Sequence, residues 1–368
     1  MLRDELLNSK QAEVILAGSL GMQEAGQNTT CGLDIGKANL LLDGIHPHPI
    51  LGQLSIMDYP LVYTFEVDLD PTTESFLMDH ALNRIPLLPG VMGIEGFLEA
   101  ARSIACLLGL DEKFLSAGIL EDIQFQVPVK FYRDQVRHLF WKSSLMPGVN
   151  GVSAYGSLES ELERPHHPRE RLQHFSGKIT LGALTPIPMA QLPAWDETRV
   201  LKSEDIYRLY FHGPAFQVLE EVCRSGDSLI GKLRMDRPPL STSLPLKINL
   251  PILVELCLQT ASIWEIGKTG FLGLPASIDS LTLYPQLERA SQATPEKSSK
   301  KLKSHSSIKA AIYAVVTPAV SSDGQLIFNG QVFDARNKLL LELTGYRTAH
   351  LPYSVENDLL LPFQALVR

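Results

Sequence analysis

The chain has 368 residues, with 33 lysines and arginines against 41 aspartates and glutamates and a formal charge of −8; its isoelectric point near 5.7 leaves no broad basic face for phosphate and excludes nucleic acid as the main partner. With 45% apolar and 20% charged residues, the length holds one large domain with extensions or two structural units around a sizeable core. The cysteines Cys31, Cys106, Cys223 and Cys257 lie too far apart for a metal site and read as reduced core residues of a cytoplasmic protein, while acidic residues in the first ten positions and the lack of an apolar run of about 18 residues argue against export and a membrane.

Residues 1–54 are the least regular. Ala12–Gly18 reads as a short strand, Gln23–Leu42 shows no sustained period, and the whole stretch reads as a linker with the tail of an upstream unit. From Leu61 the sequence LVYTFEVDLD alternates as a strand and Pro71–Glu74 makes a turn. Asp79–Ala101, DHALNRIPLLPGVMGIEGFLEAA, then sets His80 before a helix that opens at Pro89–Gly90 and runs to about Leu108. Proline suits a helix start, where its missing N–H is not needed, and Gly90 allows a group to approach the free first-turn donors of Gly90 and Val91, which can hold a carbonyl oxygen gaining negative charge. A lone histidine is more often a hydrogen-bonded core residue than a base, so His80 is read together with its surroundings.

Ala117–Val129, Arg137–Ser144, Val152–Leu158 and His174–Leu181 follow as antiparallel strands, the last two separated by the polar Glu161–Arg171. After a proline-bearing linker at Pro186–Thr198 the order repeats. Ser203–Tyr210 starts a short helix, His212–Phe216 (HGPAF) ends it, and Phe216–Leu233 and Leu244–Asn249 are strand-like. Pro251–Ile266 is a second buried helix opening with proline. Strands come again at Ala276–Tyr284, Ile308–Val316, Leu326–Asp334 and Leu339–His350, with turns at Asp323–Gly324 and Asn337–Lys338. The lysine-rich 291–307 reads as a solvated loop. Two helices, each against its own antiparallel sheet, imply an α+β tandem duplication.

On the second helix Glu255 and Gln259 stand four residues apart on an otherwise apolar face. Burial there raises a carboxyl's pKa and favours the protonated form, as a general acid requires, unless the two are a surface acid and a structural amide. If the halves pack side by side, His80 and Glu255 share one cavity: neutral His80 takes a proton from the carbon beside a thioester carbonyl, and Glu255 gives one to the hydroxyl leaving the next carbon. His46, His48, His166 and His167 lie in proline-rich loops with no third ligand in view, so no metal is expected.

DHALNRIPLLPG resembles the first signature of polyketide synthase dehydratase domains at His80 and Pro89. YFHGPAFQVL is similar to their tyrosine-containing GPxF signature at Tyr210, Gly213, Pro214 and Phe216, and PILVELCLQ resembles the third at Glu255 and Gln259. The resemblance covers about residues 55–353. It implies a double hot-dog fold, two antiparallel sheets each wrapped round a long central helix, with the first hot-dog at 55–184 and the second at 185–368. It also implies a 3-hydroxyacyl substrate on the phosphopantetheine of an acyl carrier protein, no other cofactor, His80 as base and Glu255 as acid. The substrate would be bound by Gly90, Val91, Tyr210, His212, Gly213, Pro214 and Gln259, with Tyr210 and His212 bordering the entrance.

Two positions depart from the pattern. Arg84 stands where the family has glycine, either narrowing the cavity or pointing toward a carrier protein, and Glu255 replaces an aspartate, as in stand-alone bacterial 3-hydroxyacyl carrier-protein dehydratases. The spacing of Glu95 from Pro89 also resembles those enzymes, where it implies a relic or structural acid. The first helix is similar in wording to dehydratases that follow a ketoreductase in polyunsaturated-fatty-acid and enediyne synthases, and AEVILAGSLG resembles the end of such a ketoreductase. Partners implied are a carrier protein, neighbouring synthase domains and, through an edge strand near Phe65, a second copy. An isomerase or cyclase of the same fold, and a silent scaffold favoured by Arg84, are the alternatives.

Overall fold

The computed structural model describes residues 29–30, 33–45, 50–58, 62–110, 118–146, 152–162, 170–182, 187–241, 249–285, 287 and 311–368. The expected strand at Ala12–Gly18, the loop 291–307, Cys31 and the four loop histidines lie outside these residues, as do all but the last of Leu244–Asn249.

After short strands β1 (Thr29–Thr30) and β2 (Leu33–Asp34), helix α1 (Ile35–Ile45) packs Ala38 and Leu42 into the core. A helix therefore stands where no period was visible, because Leu40 and Leu41 on the same segment are exposed. Strands β3 (Gln53–Asp58) and β4 (Val62–Leu69) follow, then the turn of helix α2 (Ser75–Met78), the small hairpin β5 (Ala81–Leu82) and β6 (Ile85–Pro86), and helix α3 (Gly90–Leu107). Strands β7 (Gly118–Phe125), β8 (Arg137–Met146), β9 (Val152–Leu162) and β10 (Glu170–Leu181) complete the first half. Both β9 and β10 extend into the polar stretch between them.

The second half comprises β11 (Val200–Lys202), helix α4 (Ser203–Ile206), the hairpin β12 (Leu219–Ser225) and β13 (Ser228–Leu233), and helix α5 (Leu250–Thr269). It continues through β14 (Phe271–Leu283), β15 (Ile312–Val320), β16 (Leu326–Asp334), β17 (Leu339–Ser354) and helix α6 (Asn357–Val367). The run 216–233 is thus broken by a turn whose Gly226 has a φ of 60°. The C-terminal helix had no counterpart in the sequence reading; Pro362 sits inside it.

The sheets expected to be separate are continuous. One 13-stranded antiparallel sheet runs β11-β12-β13-β15-β16-β17-β14-β7-β10-β9-β8-β4-β3, and the halves join where β14 pairs with β7 from Ser277 opposite Gln124 to Leu283 opposite Gly118. The strand containing Phe65 is interior, between β3 and β8, so the edges are β3 and β11 instead.

Each half curls round its own helix. Against α3, the first sheet sets Trp141 edge-on to Phe97, ring centroids 5.6 Å apart. Gly96 admits this approach, since a Cβ there would lie 2.2 Å from the Trp141 ring. α5 is buried on nearly every side, as a helix apolar all round must be. It is long and apolar enough to cross a membrane by composition, but 94% of that stretch is buried inside the fold. Asn249 caps it, its Oδ1 accepting from the N–H of Ile252 at 3.1 Å, and Gly270 closes it with a φ of 76°.

Candidate active site

An open cavity lies where the halves meet, and both His80 and Glu255 line it. Its walls include Phe125 and Phe175 from the first half and Leu258, Ser262 and Tyr346 from the second.

His80 follows α2 and is anchored on both sides. Its backbone forms an isolated antiparallel bridge with His212, and its carbonyl accepts from the N–H of Leu87 at 2.9 Å. The ring's Nδ1 lies 3.1 Å from the carbonyl oxygen of Leu87. A carbonyl can only accept, so Nδ1 carries the hydrogen and Nε2 keeps its lone pair. Phe211 and Phe216 flank the ring, with centroids 5.1 and 5.6 Å away, and leave it half-buried on the cavity wall. Burial and the neighbouring His212 push its pKa down to about 4, against the opposing pull of Glu255 and the Leu87 carbonyl. His80 is therefore neutral at neutral pH.

Glu255 lies on α5, 6% exposed. Its Oε1 accepts from Gln259 Nε2 at 2.8 Å and lies 3.2 Å from His212 Nε2. Gln259 is itself held: its amide also donates to the Phe216 carbonyl at 2.8 Å, and its oxygen accepts from the Tyr207 hydroxyl at 2.9 Å. Burial pushes the Glu255 carboxyl up, but the hydrogen bond and charge of His212, with His80 and the Gln259 amide, leave it below the ordinary value. This corrects the expectation of a raised pKa. Helix periodicity reveals the burial but not the imidazole that a distant loop brings to the carboxylate.

The other expected binding residues divide. Gly90 lines the cavity at the start of α3, where the Phe125 ring occupies the space a Cβ would need. Pro89 O accepts from the N–H groups of Met92 and Gly93, and those of Gly90 and Val91 have no backbone partner among the described residues; the Val91 side chain is wholly in the core. Tyr210 and His212 line the cavity. The Tyr210 hydroxyl donates to the Gln259 carbonyl at 2.9 Å, so in this structure it braces α5.

Gly213 and Pro214 are not on the cavity wall. The N–H of Gly213 donates to the Asp79 carbonyl at 2.7 Å and that of Ala215 to Asp79 Oδ2 at 3.0 Å, while Pro214 is exposed. Their place is a clasp that locks this loop to the residue before His80. Asp79 and Tyr207 were missed by the sequence reading, although Asp79 directly precedes His80 and Tyr207 lies three residues before Tyr210.

Arg84 is exposed at the tip of the β5–β6 hairpin, where Asn83 and Arg84 have φ of 51° and 63°, and it does not reach the cavity. Glu95 is also outside it. Burial, with Glu99 adding and Arg102 opposing, pushes its pKa up to about 8, and one of its oxygens is buried without a partner. Among the described residues no group of three or more histidines, cysteines and acids could hold a metal.

Residues 196–356 match the family model described as the polyketide synthase dehydratase N-terminal domain. The fold is similar to the dehydratase domain from the CurF module of curacin polyketide synthase, with a TM-score of 0.60 and 16% identity over 83% of this chain and 100% of that one. It is also similar to the PpsC dehydratase domain of Mycobacterium tuberculosis, with a TM-score of 0.59 and 17% identity over 83% of this chain and 99% of that one. Other dehydratases of the curacin synthase share it; CurJ was solved as an inactive histidine-to-phenylalanine mutant and CurK as an inactive aspartate-to-asparagine mutant. Among whole synthases, polyketide synthase GfsE of Streptomyces halstedii is 25% identical over 242 residues, covering 63% of this chain and 6% of that protein. Mycoketide-CoA synthase of M. tuberculosis is 26% identical over 203 residues, 52% of this chain and 4% of that protein. The chain thus spans a small fraction of the curated relatives it matches.

Proposed function

We propose that this chain, which has the fold of polyketide synthase dehydratase domains and matches their family model over residues 196–356, removes water from a 3-hydroxyacyl thioester to give the 2-enoyl thioester. The observation that carries the reading is that one cavity receives a neutral imidazole from one half and a hydrogen-bonded carboxyl from the other, His80 and Glu255. CurJ and CurK of the curacin synthase, which share the fold, are inactive as a histidine-to-phenylalanine and an aspartate-to-asparagine mutant respectively, in keeping with a site that needs a histidine and an acid.

With the thioester carbonyl at the N–H groups that open α3, negative charge developing on its oxygen is stabilised by the positive end of the helix. Nε2 of His80 takes the proton from C2, and the protonated form of Glu255, which its neighbours disfavour, gives its proton to the C3 hydroxyl, which leaves as water as the double bond forms. The imidazolium and carboxylate left behind restore the starting state by passing one proton from the first to the second. No electrons are gained or lost, so the reading includes no cofactor beyond the phosphopantetheine arm that carries the substrate. The partners are then an acyl carrier protein and neighbouring synthase domains such as a ketoreductase, which would make the 3-hydroxyl. A scaffold needs no cavity reaching both groups, and Arg84, its chief support, lies at an exposed hairpin tip.

The test is the intact mass of a 3-hydroxyacyl carrier protein after incubation with the chain, using both hydroxyl configurations and several acyl lengths. Loss of one water from one configuration is expected. No loss from any substrate, with the protein folded, would overturn the assignment.

A further inference from the structure

His212 stands where the sequence suggested only the border of an entrance. Its side chain is 10% exposed and that of Glu255 7%, with Nε2 and Oε1 3.2 Å apart. Its Nδ1 is buried without a hydrogen-bond partner. The ring cannot turn freely: it stacks on Phe211 at 4.4 Å and 19°, and its backbone is tied to His80. Oε1 of Glu255 is thereby fully engaged by His212 and Gln259, whereas Oε2 has no hydrogen-bond partner among the described residues. The other groups close to this pair are His80 from the first half, Tyr207 and Tyr210 ahead of β12, and Tyr346 on β17.

We infer that His212 is a positioning residue for the acid: it donates its Nε2–H to Oε1 of Glu255 and so leaves Oε2 to carry the proton that is delivered to the leaving hydroxyl. The inference rests on the dehydratase reading. When the proton has gone, His212 still donates from Nε2 to the new carboxylate and stabilises it. His80, in contrast, is set to receive, its Nδ1–H tied to Leu87.

His212→Phe keeps a ring against Phe211 but removes the donor, whereas His212→Gln keeps an amide donor near the same place. The kcat is expected to fall about tenfold or more in His212→Phe with KM within about threefold, and His212→Gln is expected to restore most of it. Equal losses in the two variants, or a loss carried by KM alone, would overturn the inference. A crystal structure of folded His212→Phe tests the hold without turnover: the Glu255 carboxyl is expected to leave its place beside Gln259, and an unmoved carboxyl would contradict the positioning role. If the wild type released no water, the dehydratase reading would fail, while this structure would still decide whether His212 holds Glu255.

Discussion

His80 and His212 pair backbone to backbone across the junction of the two halves, with their rings 5.4 Å apart. One contact thus places both His80 and the neighbour of Glu255. It is secured by Asp79, whose carbonyl and carboxylate receive the N–H groups of Gly213 and Ala215. The loop between Tyr210 and Phe216 therefore ties His80 of the first half to the neighbour of Glu255 in the second.

Gly213→Ala tests this clasp. A Cβ there would lie 2.3 Å from Asp79 Oδ1 and 2.8 Å from Asp79 Cα, and the backbone atom cannot move aside alone. The expected result is a fall in kcat of about tenfold or more, since ångström displacements near reacting groups are costly. Unfolding in urea is expected to show a stability loss of about 1–3 kcal/mol. Full activity would separate the clasp from the site.

The proposed role of His80 as base should be visible in the pH dependence of kcat/KM. A base acts only when neutral, and burial beside His212 brings the His80 pKa down to about 4. Activity is expected to persist through the mildly acidic range and to be lost as pH falls through that value, provided the fold survives. An acid limb at the ordinary histidine value would mean that His80 is solvated or is not the base.

The same shift makes His80 a source of acid sensitivity in the fold. Between about 6.5 and about 4 the unfolded chain binds a proton at this ring that the folded chain does not. Stability should therefore fall as pH drops through that window and level off below it, by up to about 3 kcal/mol for this group. Urea denaturation from pH 7 to pH 4 should show a shallower decline in His80→Phe than in wild type. Parallel curves would contradict the burial of a neutral ring.

Arg84→Gly asks whether the departure from the family pattern matters to chemistry. Because Arg84 is exposed with a φ of 63°, glycine should stabilise the chain by up to about 1 kcal/mol in thermal unfolding. The kcat on the carrier-bound substrate should stay within about twofold. A large rise in kcat would place the arginine in the cavity after all.

The long helices α3 and α5 were plain in the sequence because each opens with proline and buries a face at helical spacing, and Glu255 and Gln259 share such a face. α1 escaped because exposed Leu40 and Leu41 blur its stripe, and α6 because Pro362 interrupts its pattern. The continuity of the sheet depends on β7 meeting β14, a pairing between distant strands that neither strand's alternation specifies. The lowered pKa of Glu255 was hidden for a similar reason. His212 is far from it along the chain, and only the closed fold sets its Nε2 3.2 Å from the carboxylate.

The most direct measurement is single-turnover loss of water from a 3-hydroxyacyl carrier protein by wild type, His80→Phe and Glu255→Gln, each first shown to be folded. Loss is expected in the wild type, with a fall of about 100-fold or more in each variant. Unchanged loss in either variant would contradict the assignment of base and acid.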